Sequence, residues 1–376
     1  MFNSFHLEGV KAFKAHDYQT AKTLFLKAIE NNPEESESYL FLGKSYFFCD
    51  ERREAIAQLK KYIELNQHNS EDVANVSYAF DLLGQCYEAL NKDSRAITCY
   101  TSATNINPLA ASAWHNLGLL YIKSAQHELE QNLENSFKLF QEAQVFLKNA
   151  LVIGGTNPMF LHSVASWYEK YIEALEKVTE EEEAVQKNID NNFKLAIQYY
   201  QKALAACGDD VVLKNLITSN LTECLAQYGH HLYRAENFEM SLAQYTQAIE
   251  FDPNHLVVIN QIGMSLFKQN RFSEARKYFS DILGKTSESQ ELADAWLNIA
   301  CTYRLEKIWV QAEKALNEAK KFAPYDLSIL DEEQKLMDSR SQVSLIAAAQ
   351  TVFSNPNPVA DTQLSTETKE TQLQVK

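Results

Sequence analysis

The fold of this 376-residue chain is decided by the short segment at residues 114–121, which reads WHNLGLLY. Trp114, Leu117 and Tyr121 recur at helical spacing, so they share one apolar face of a predicted helix. Gly118 lies within that segment and has no side chain, so a second helix can approach its backbone closely. The segment therefore predicts one helix of a tightly packed helical pair.

The same arrangement recurs along the chain at a fixed interval. Gly9 and Gly43 are 34 residues apart, as are Gly229 and Gly263, and all four lie in amphipathic helical stretches. Six of the ten glycines occupy the eighth position of such a unit, and four of the seven prolines occupy the thirty-second. A repeat interval of this length is typical of stacked helical repeats, in which neighbouring units share a core that no single unit can bury alone.

These residues resemble the tetratricopeptide repeat (TPR), whose pattern is W-x2-L-G-x2-Y, then A-x3-F, then P. Residues 114–121 match the first half, while Ala21, Phe25 and Pro33 match the second. The resemblance implies an all-α, right-handed TPR superhelix of eight helix-turn-helix units within residues 2–326. The units are predicted at 2–35, 36–69, 77–110, 111–157, 158–210, 222–255, 256–289 and 293–326.

Several segments depart from the regular repeat. Insertions of about 13 residues near 122–142 and about 19 residues near 169–195 have few helix breakers, so we expect two lengthened hairpins that protrude side by side. In the second, Thr179 precedes four glutamates, a pattern typical of a helix start and, alternatively, of an acidic surface for a basic partner. Apolar spacing predicts a capping helix at 327–353, and the polar residues 354–376 predict a disordered tail.

Composition excludes several classes of protein. Ten glycines and seven prolines are too few for a glycine-rich α/β fold or a β-sandwich. The net charge of −15 argues against binding to nucleic acid or to an anionic membrane. The chain has no apolar stretch long enough to span a membrane and no signal peptide at its beginning. Its six scattered cysteines are typical of reduced thiols. These features predict a cytoplasmic location and leave non-classical secretion open.

No arrangement of residues predicts catalysis. The repeats contain no nucleophile elbow, phosphate loop, dinucleotide fingerprint or H-E-x-x-H motif. His230 and His231 are adjacent, but neighbours on a helix point about 100° apart and do not jointly chelate a metal. The sequence therefore predicts a protein without enzymatic activity, cofactor or metal.

The resemblance instead implies a binding groove lined by the first helix of each unit. In the TPR family this groove is formed by residues at the second, fifth, sixth, ninth, twelfth and thirteenth positions of the repeat. Transferred to this chain, the N-terminal positions are mostly aromatic or apolar: Phe13, Leu40, Phe41, Lys44, Phe47, Phe48 and Tyr78. The later positions are polar: Asn116, Gln227, His230, Arg234, Asn260, Gln261, Asn298 and Arg304.

Two interpretations of the aromatic positions remain open at this stage. They can receive the apolar anchors of a partner helix or peptide, or they can simply pack against one another inside a tightly curled array. The lysine and asparagine set that chaperone-binding members of the family use is absent, because Phe41, Tyr78 and Leu82 stand at three of its positions.

The resemblance and the groove residues together predict a non-catalytic scaffold or adaptor that binds a protein or peptide partner. Two alternatives are an accessory subunit of an enzyme such as a glycosyltransferase and a secreted bacterial effector that acts on host proteins. The sequence leaves the partner's identity and the oligomeric state open.

Overall fold

The computed structural model describes residues 4–66, 72–178 and 183–354, and within those ranges the chain forms helices and no strand. Consecutive helices pack as hairpins, which confirms the all-α TPR fold predicted from the repeat. The helices are α1 (Ser4–Lys14), α2 (Tyr18–Asn31), α3 (Ser36–Phe48), α4 (Arg52–Asn66), α5 (Val73–Ala89), α6 (Asp93–Ile106), α7 (Ala111–Glu128), α8 (Leu133–Gly154), α9 (Pro158–Leu175), α10 (Glu183–Ala206), α11 (Val211–Arg234), α12 (Phe238–Phe251), α13 (Leu256–Lys268), α14 (Phe272–Leu283), α15 (Ser289–Leu305), α16 (Trp309–Phe322) and α17 (Leu327–Ser354).

The helices group into two compact units, one that extends to Pro253 and one that begins at Asn254. The first unit contains α1 to α12 and the second contains α13 to α17. The division falls close to the predicted boundary between the sixth and seventh repeats.

In six of the hairpins, a glycine of the first helix lies against a large side chain of the second helix. In the hairpin of α5 and α6, a side-chain carbon added to Gly84 would lie 2.5 Å from a ring carbon of Tyr100, which is completely buried. Ala96 on α6 is also fully buried, so the two helix axes approach closely. The glycines and alanines of the repeat therefore allow the helices to pack closely in the core.

The regular hairpins share one type of turn. The residue two positions after the last residue of the first helix has a positive φ in six of them: His16, Asp50, Asn91, Glu236, Asn270 and Lys307. The amide that follows donates back to the helix, as from Asp17 N to Ala12 O at 3.0 Å and from Ile308 N to Tyr303 O at 2.8 Å. These are Schellman caps, which satisfy carbonyl groups at the end of the first helix.

The two insertions lengthen helices, as the sequence predicts. Helices α8 and α10 have 22 and 24 residues, compared with 12 to 15 in the second helices of the other hairpins. The two lengthened hairpins lie side by side, because Trp167 Nε1 donates to the carbonyl of Phe140 at 2.8 Å and Lys177 Nζ contacts Glu130 at 2.6 Å. Thr179 and most of the acidic run, residues 180–182, lie outside the described residues.

Residues 211–221 lie between the predicted repeats five and six. They form the first part of the 24-residue helix α11. Asp210 caps the helix by accepting from Leu213 N at 3.0 Å, and Ile217 and Leu221 are fully buried. Eleven residues make about three helical turns, so the insertion keeps the apolar face in phase with the rest of α11.

Helix α17 covers the end of the second unit. Ile329 and Leu336 bury their side chains, while Arg304 on α15 pairs with the buried carboxylate of Glu332. A second pair joins Lys320 on α16 to Glu333 at 2.6 Å. The helix occupies the segment predicted as a cap. The predicted tail after Ser354 lies outside the described residues.

Candidate functional site

Helices α1, α3 and α5 present a continuous row of aromatic rings around one lysine. The ring centroid of Phe13 lies 5.5 Å from that of Phe41 and 5.9 Å from that of Phe48. Lys44 Nζ lies 5.0 Å from the Phe41 centroid and 4.5 Å from the Tyr78 centroid. We call Phe13, Phe41, Lys44, Phe48 and Tyr78 the aromatic row. All five members come from the predicted groove positions.

The aromatic row is partly packed and partly open. Phe41 stacks on the buried Phe25 at 5.6 Å, so its inner face belongs to the core. Phe48 and Tyr78, in contrast, expose 50% and 38% of their surface. The packing interpretation therefore holds for the inner side of the row, while partner binding at the accessible rings stays a prediction.

Two predicted groove residues are placed differently from the row. Leu40 is only 3% exposed and packs in the core of α3 to α7. Phe47 is half-buried, and its ring contacts the guanidinium of Arg52 at 4.2 Å. Phe48 thus presents more ring surface than Phe47, because the next residue of a helix points about 100° away.

Lys44 is a half-buried cation. Burial lowers the pKa of its amine, and the nearby carboxylate of Glu37 opposes this change only in part. Within the described ranges, no carboxylate oxygen lies within 4 Å of Nζ, so the two rings are its principal neighbours. Aromatic faces attract a cation through their negative quadrupole.

Asn116, the first of the predicted polar positions, is bound within the protein. Its side-chain amide donates to Asp81 Oδ1 at 2.9 Å, and Ser112 Oγ donates to Asp81 Oδ2 at 2.8 Å. Burial raises the pKa of Asp81, which is 2% exposed, and the hydrogen bonds from Ser112, Asn116 and Gln85 oppose that shift. Asp81 is not among the residues predicted from sequence, although a carboxylate in the apolar stretch VSYAFDLLG signals a buried partner.

The polar positions of the second unit are also engaged. Asn298 on α15 donates to Asn260 Oδ1 on α13 at 3.0 Å, and Gln261 beside it is half-buried. Arg304 donates to Glu332 from Nε at 2.5 Å and from a terminal nitrogen at 3.2 Å. Asn260, Asn298 and Arg304 thus connect helices of their own unit. The part of all four residues in partner binding stays a prediction.

Helix α11 carries the remaining predicted residues. Gln227, His230 and Arg234 are exposed, and Gln227 donates to Glu223 at 3.0 Å. His231 is instead half-buried, with Nε2 3.5 Å from Asp190. Among the described residues, no group of three or more histidine, cysteine, aspartate or glutamate side chains could hold a metal ion.

A second polar cluster lies in the core between α9, α10 and α11. Glu169 accepts a hydrogen bond from the hydroxyl of Tyr200, and the thiol of the fully buried Cys224 contributes another. Burial raises the pKa of Glu169 to about 7, against the smaller opposing effects of these bonds and of Lys170. This cluster was not predictable from the sequence, because its members are separated by 24 residues or more and share no motif.

None of the described helices combines the length and the low charge that a bilayer-spanning helix requires.

Comparison with known proteins supports the repeat assignment. Models of the tetratricopeptide repeat match residues 36–69, 78–108 and 260–326. The chain is 26% identical over 259 residues to a peroxisomal targeting signal receptor of Saccharomyces cerevisiae, with 60% of this chain and 40% of the relative aligned. It is 22% identical over 127 residues to anaphase-promoting complex subunit 3 of Schizosaccharomyces pombe, with 34% of this chain and 17% of the relative aligned. The chain thus spans less than half the length of either relative.

A solved structure of a thermophilic TPR protein from Thermus thermophilus is also similar. It is 19% identical, covers 58% of this chain and 97% of its own, and superposes with a TM-score of 0.39.

The repeat models match the hairpins of α3 with α4, of α5 with α6, and of α13 to α16, where the helical pairs and their small-to-large packing are observed. These parts of the chain are therefore tetratricopeptide repeats.

Proposed function

We propose that this protein is a non-catalytic adaptor that binds a polypeptide segment of a partner on the aromatic row of α1, α3 and α5. The observation that carries the proposal is the continuous contact from Phe48 through Phe13 and Phe41 to Lys44 and Tyr78, with the two end rings accessible. Such a row offers apolar anchoring positions on a rigid helical surface.

Two further observations support a peptide partner. The net charge of −15 opposes the close approach of nucleic acid. One yeast relative is named as a receptor of a targeting signal, and recognition of such a signal is one form of segment binding. We therefore favour a protein or peptide over other macromolecules.

The test uses the full chain as bait in an extract of the cells from which it comes. A double variant, Phe48→Ala with Tyr78→Ala, removes the two accessible rings, while Leu109→Ala removes an exposed apolar side chain outside the aromatic row. We expect wild type and Leu109→Ala to recover the same partner, and the double variant to recover at least about tenfold less, since truncated anchors dominate such losses.

Helicity measured by circular dichroism should be unchanged in both variants, because neither truncates a fully buried side chain. Equal partner recovery by the double variant and wild type would contradict the proposed site.

A further inference from the structure

Lys44 can be compared with a second lysine of the same unit that has a complete set of partners. Lys22 Nζ lies 5.2 Å from the ring centroid of Tyr46 and also forms an ion pair with Glu51. Partial burial acts to lower the pKa of Lys22, but the hydrogen bond to Glu51 and the surrounding negative charge together raise it. A ring and a carboxylate together thus satisfy this lysine.

Lys44 has the rings but no carboxylate in ion-pair contact, since Glu37 acts on it only from beyond 4 Å. It lies near two aromatic faces, of Phe41 and Tyr78, and has no ion-pair partner in the described part of the chain. A desolvated ammonium group gains strongly from an anionic hydrogen-bond acceptor. The contrast with Lys22 therefore identifies what Lys44 lacks.

We propose, on the basis of the function proposed above, that the bound segment carries an aspartate or glutamate whose carboxylate pairs with Lys44, flanked on both sides by apolar residues that contact the neighbouring rings. Phe41 and Phe13 lie on the α1 side of Lys44 and Tyr78 lies on the α5 side. A segment that contacts rings on both sides continues past the lysine, so its anion is a side chain and not the end of the chain.

The charge of the whole protein makes this pairing selective. With 50 acidic and 35 basic residues, most of the surface opposes an acidic segment. An acidic residue in the ligand is therefore favourable only beside a cationic side chain. Pairing with Lys44 thus fixes which residue of the segment lies at this position.

The experiment is a selection of random internal peptides displayed on phage, made in parallel with three full-length proteins. These are wild type, Lys44→Met, which keeps an apolar side chain of similar length, and Lys60→Met. Lys60 is an exposed lysine on α4 whose Nζ lies 5.8 Å from the Tyr87 ring, so it serves as a matched control. Displayed internal peptides have no free carboxyl end, and any acid preference therefore reports a side chain.

We expect wild type and Lys60→Met to enrich an acidic residue between apolar residues, and Lys44→Met to enrich the apolar residues alone. A synthetic peptide from the wild-type selection should lose about tenfold in affinity when its acid is changed to the matching amide, and Lys44→Met should show no such loss.

Enrichment of apolar residues without an acid by wild type would overturn this inference and leave the proposed function standing. An acid preference that persists in Lys44→Met would also overturn it. Absence of any enrichment by wild type would overturn both the inference and the proposed function.

Discussion

The N-terminal hairpins α1 to α6 and the lengthened hairpins α7 to α10 use aromatic residues in opposite ways. In the N-terminal hairpins, Phe48 and Tyr78 remain accessible on one face. In the lengthened hairpins, Trp167 stacks on Tyr171 at 5.0 Å, and Tyr171 lies 5.6 Å from Phe137 across the contact between the hairpins. In the lengthened hairpins these rings therefore pack against one another at the contact between the two hairpins.

Polar residues show the same contrast. Lys44 in the N-terminal hairpins has rings for neighbours, and no carboxylate oxygen of the described residues lies within 4 Å of its amine. In the lengthened hairpins, the buried His115 shares a 2.7 Å hydrogen bond with Ser163, and Glu169 is bound to Tyr200. Burial lowers the pKa of His115 to about 4, so its ring is neutral near pH 7. His115 and Glu169 thus have hydrogen-bond partners within the protein, whereas Lys44 has no ion pair among the described residues.

The largest expected effect comes from truncating one buried and one accessible aromatic residue, which tests the contrast between the two regions directly. Phe140 is completely buried between the lengthened hairpins, so Phe140→Ala should lower the free energy of unfolding by about 3–5 kcal/mol. Phe48→Ala should cost less than about 1 kcal/mol, because half of its surface is already exposed.

Denaturant unfolding of the full chain, followed by circular dichroism, measures both costs. Equal costs would show that the aromatic row is as much a part of the core as Phe140, and would remove the basis for the contrast.

A pH series sharpens the comparison at Glu169. Its folded pKa of about 7 lies above the ordinary value of 4.5, so the folded protein binds a proton more tightly than the unfolded chain. The contribution of Glu169 to stability should therefore be fully present below pH 4.5, fall as the pH rises to 7, and stay low above it. The loss should be on the order of 2–3 kcal/mol.

Glu169→Gln cannot ionise, so this variant should lack that part of the pH dependence and be more stable than wild type at pH 8. Urea unfolding of both proteins at pH 5 and pH 8 measures the difference. If the free energy of unfolding changed equally between pH 5 and pH 8 in wild type and variant, ionisation of the buried Glu169 would not be the cause of the pH dependence. Glu173→Gln, at a half-buried carboxylate of the same helix, is the control.

The hairpin pairing was predictable because its signals are local. Gly84 must be small since Tyr100 fills the space beside it, and Pro108 follows the end of α6 because it cannot continue the helix. Both constraints repeat at a fixed interval, so one sequence suffices to find them. The role of residues 211–221 was missed because a three-turn extension leaves no break in the helical pattern.

The site was predictable only in part, because repeat positions specify a helix face and not its neighbours. They found Phe13, Phe41, Lys44 and Tyr78, yet they also included Leu40, whose side chain is buried. The bond from Asn116 to Asp81 joins residues on different hairpins, and nothing in the local sequence of either residue predicts its partner. Long-range side-chain pairing therefore had to come from the structure.

The smallest predicted effect concerns the turns that distinguish the regular hairpins from the lengthened ones. Lys307 has a φ of 62°, a conformation that costs a lysine about 1 kcal/mol and costs glycine nothing. Lys307→Gly should therefore raise the free energy of unfolding by about 0.5 kcal/mol, after the greater freedom of glycine in the unfolded chain is subtracted. Asn270→Gly, at the matching turn of the same unit, should change it less, because asparagine tolerates this conformation. Thermal unfolding of the two variants measures the difference, and a destabilised Lys307→Gly would mean that the lysine side chain contributes more to the turn than its backbone conformation costs.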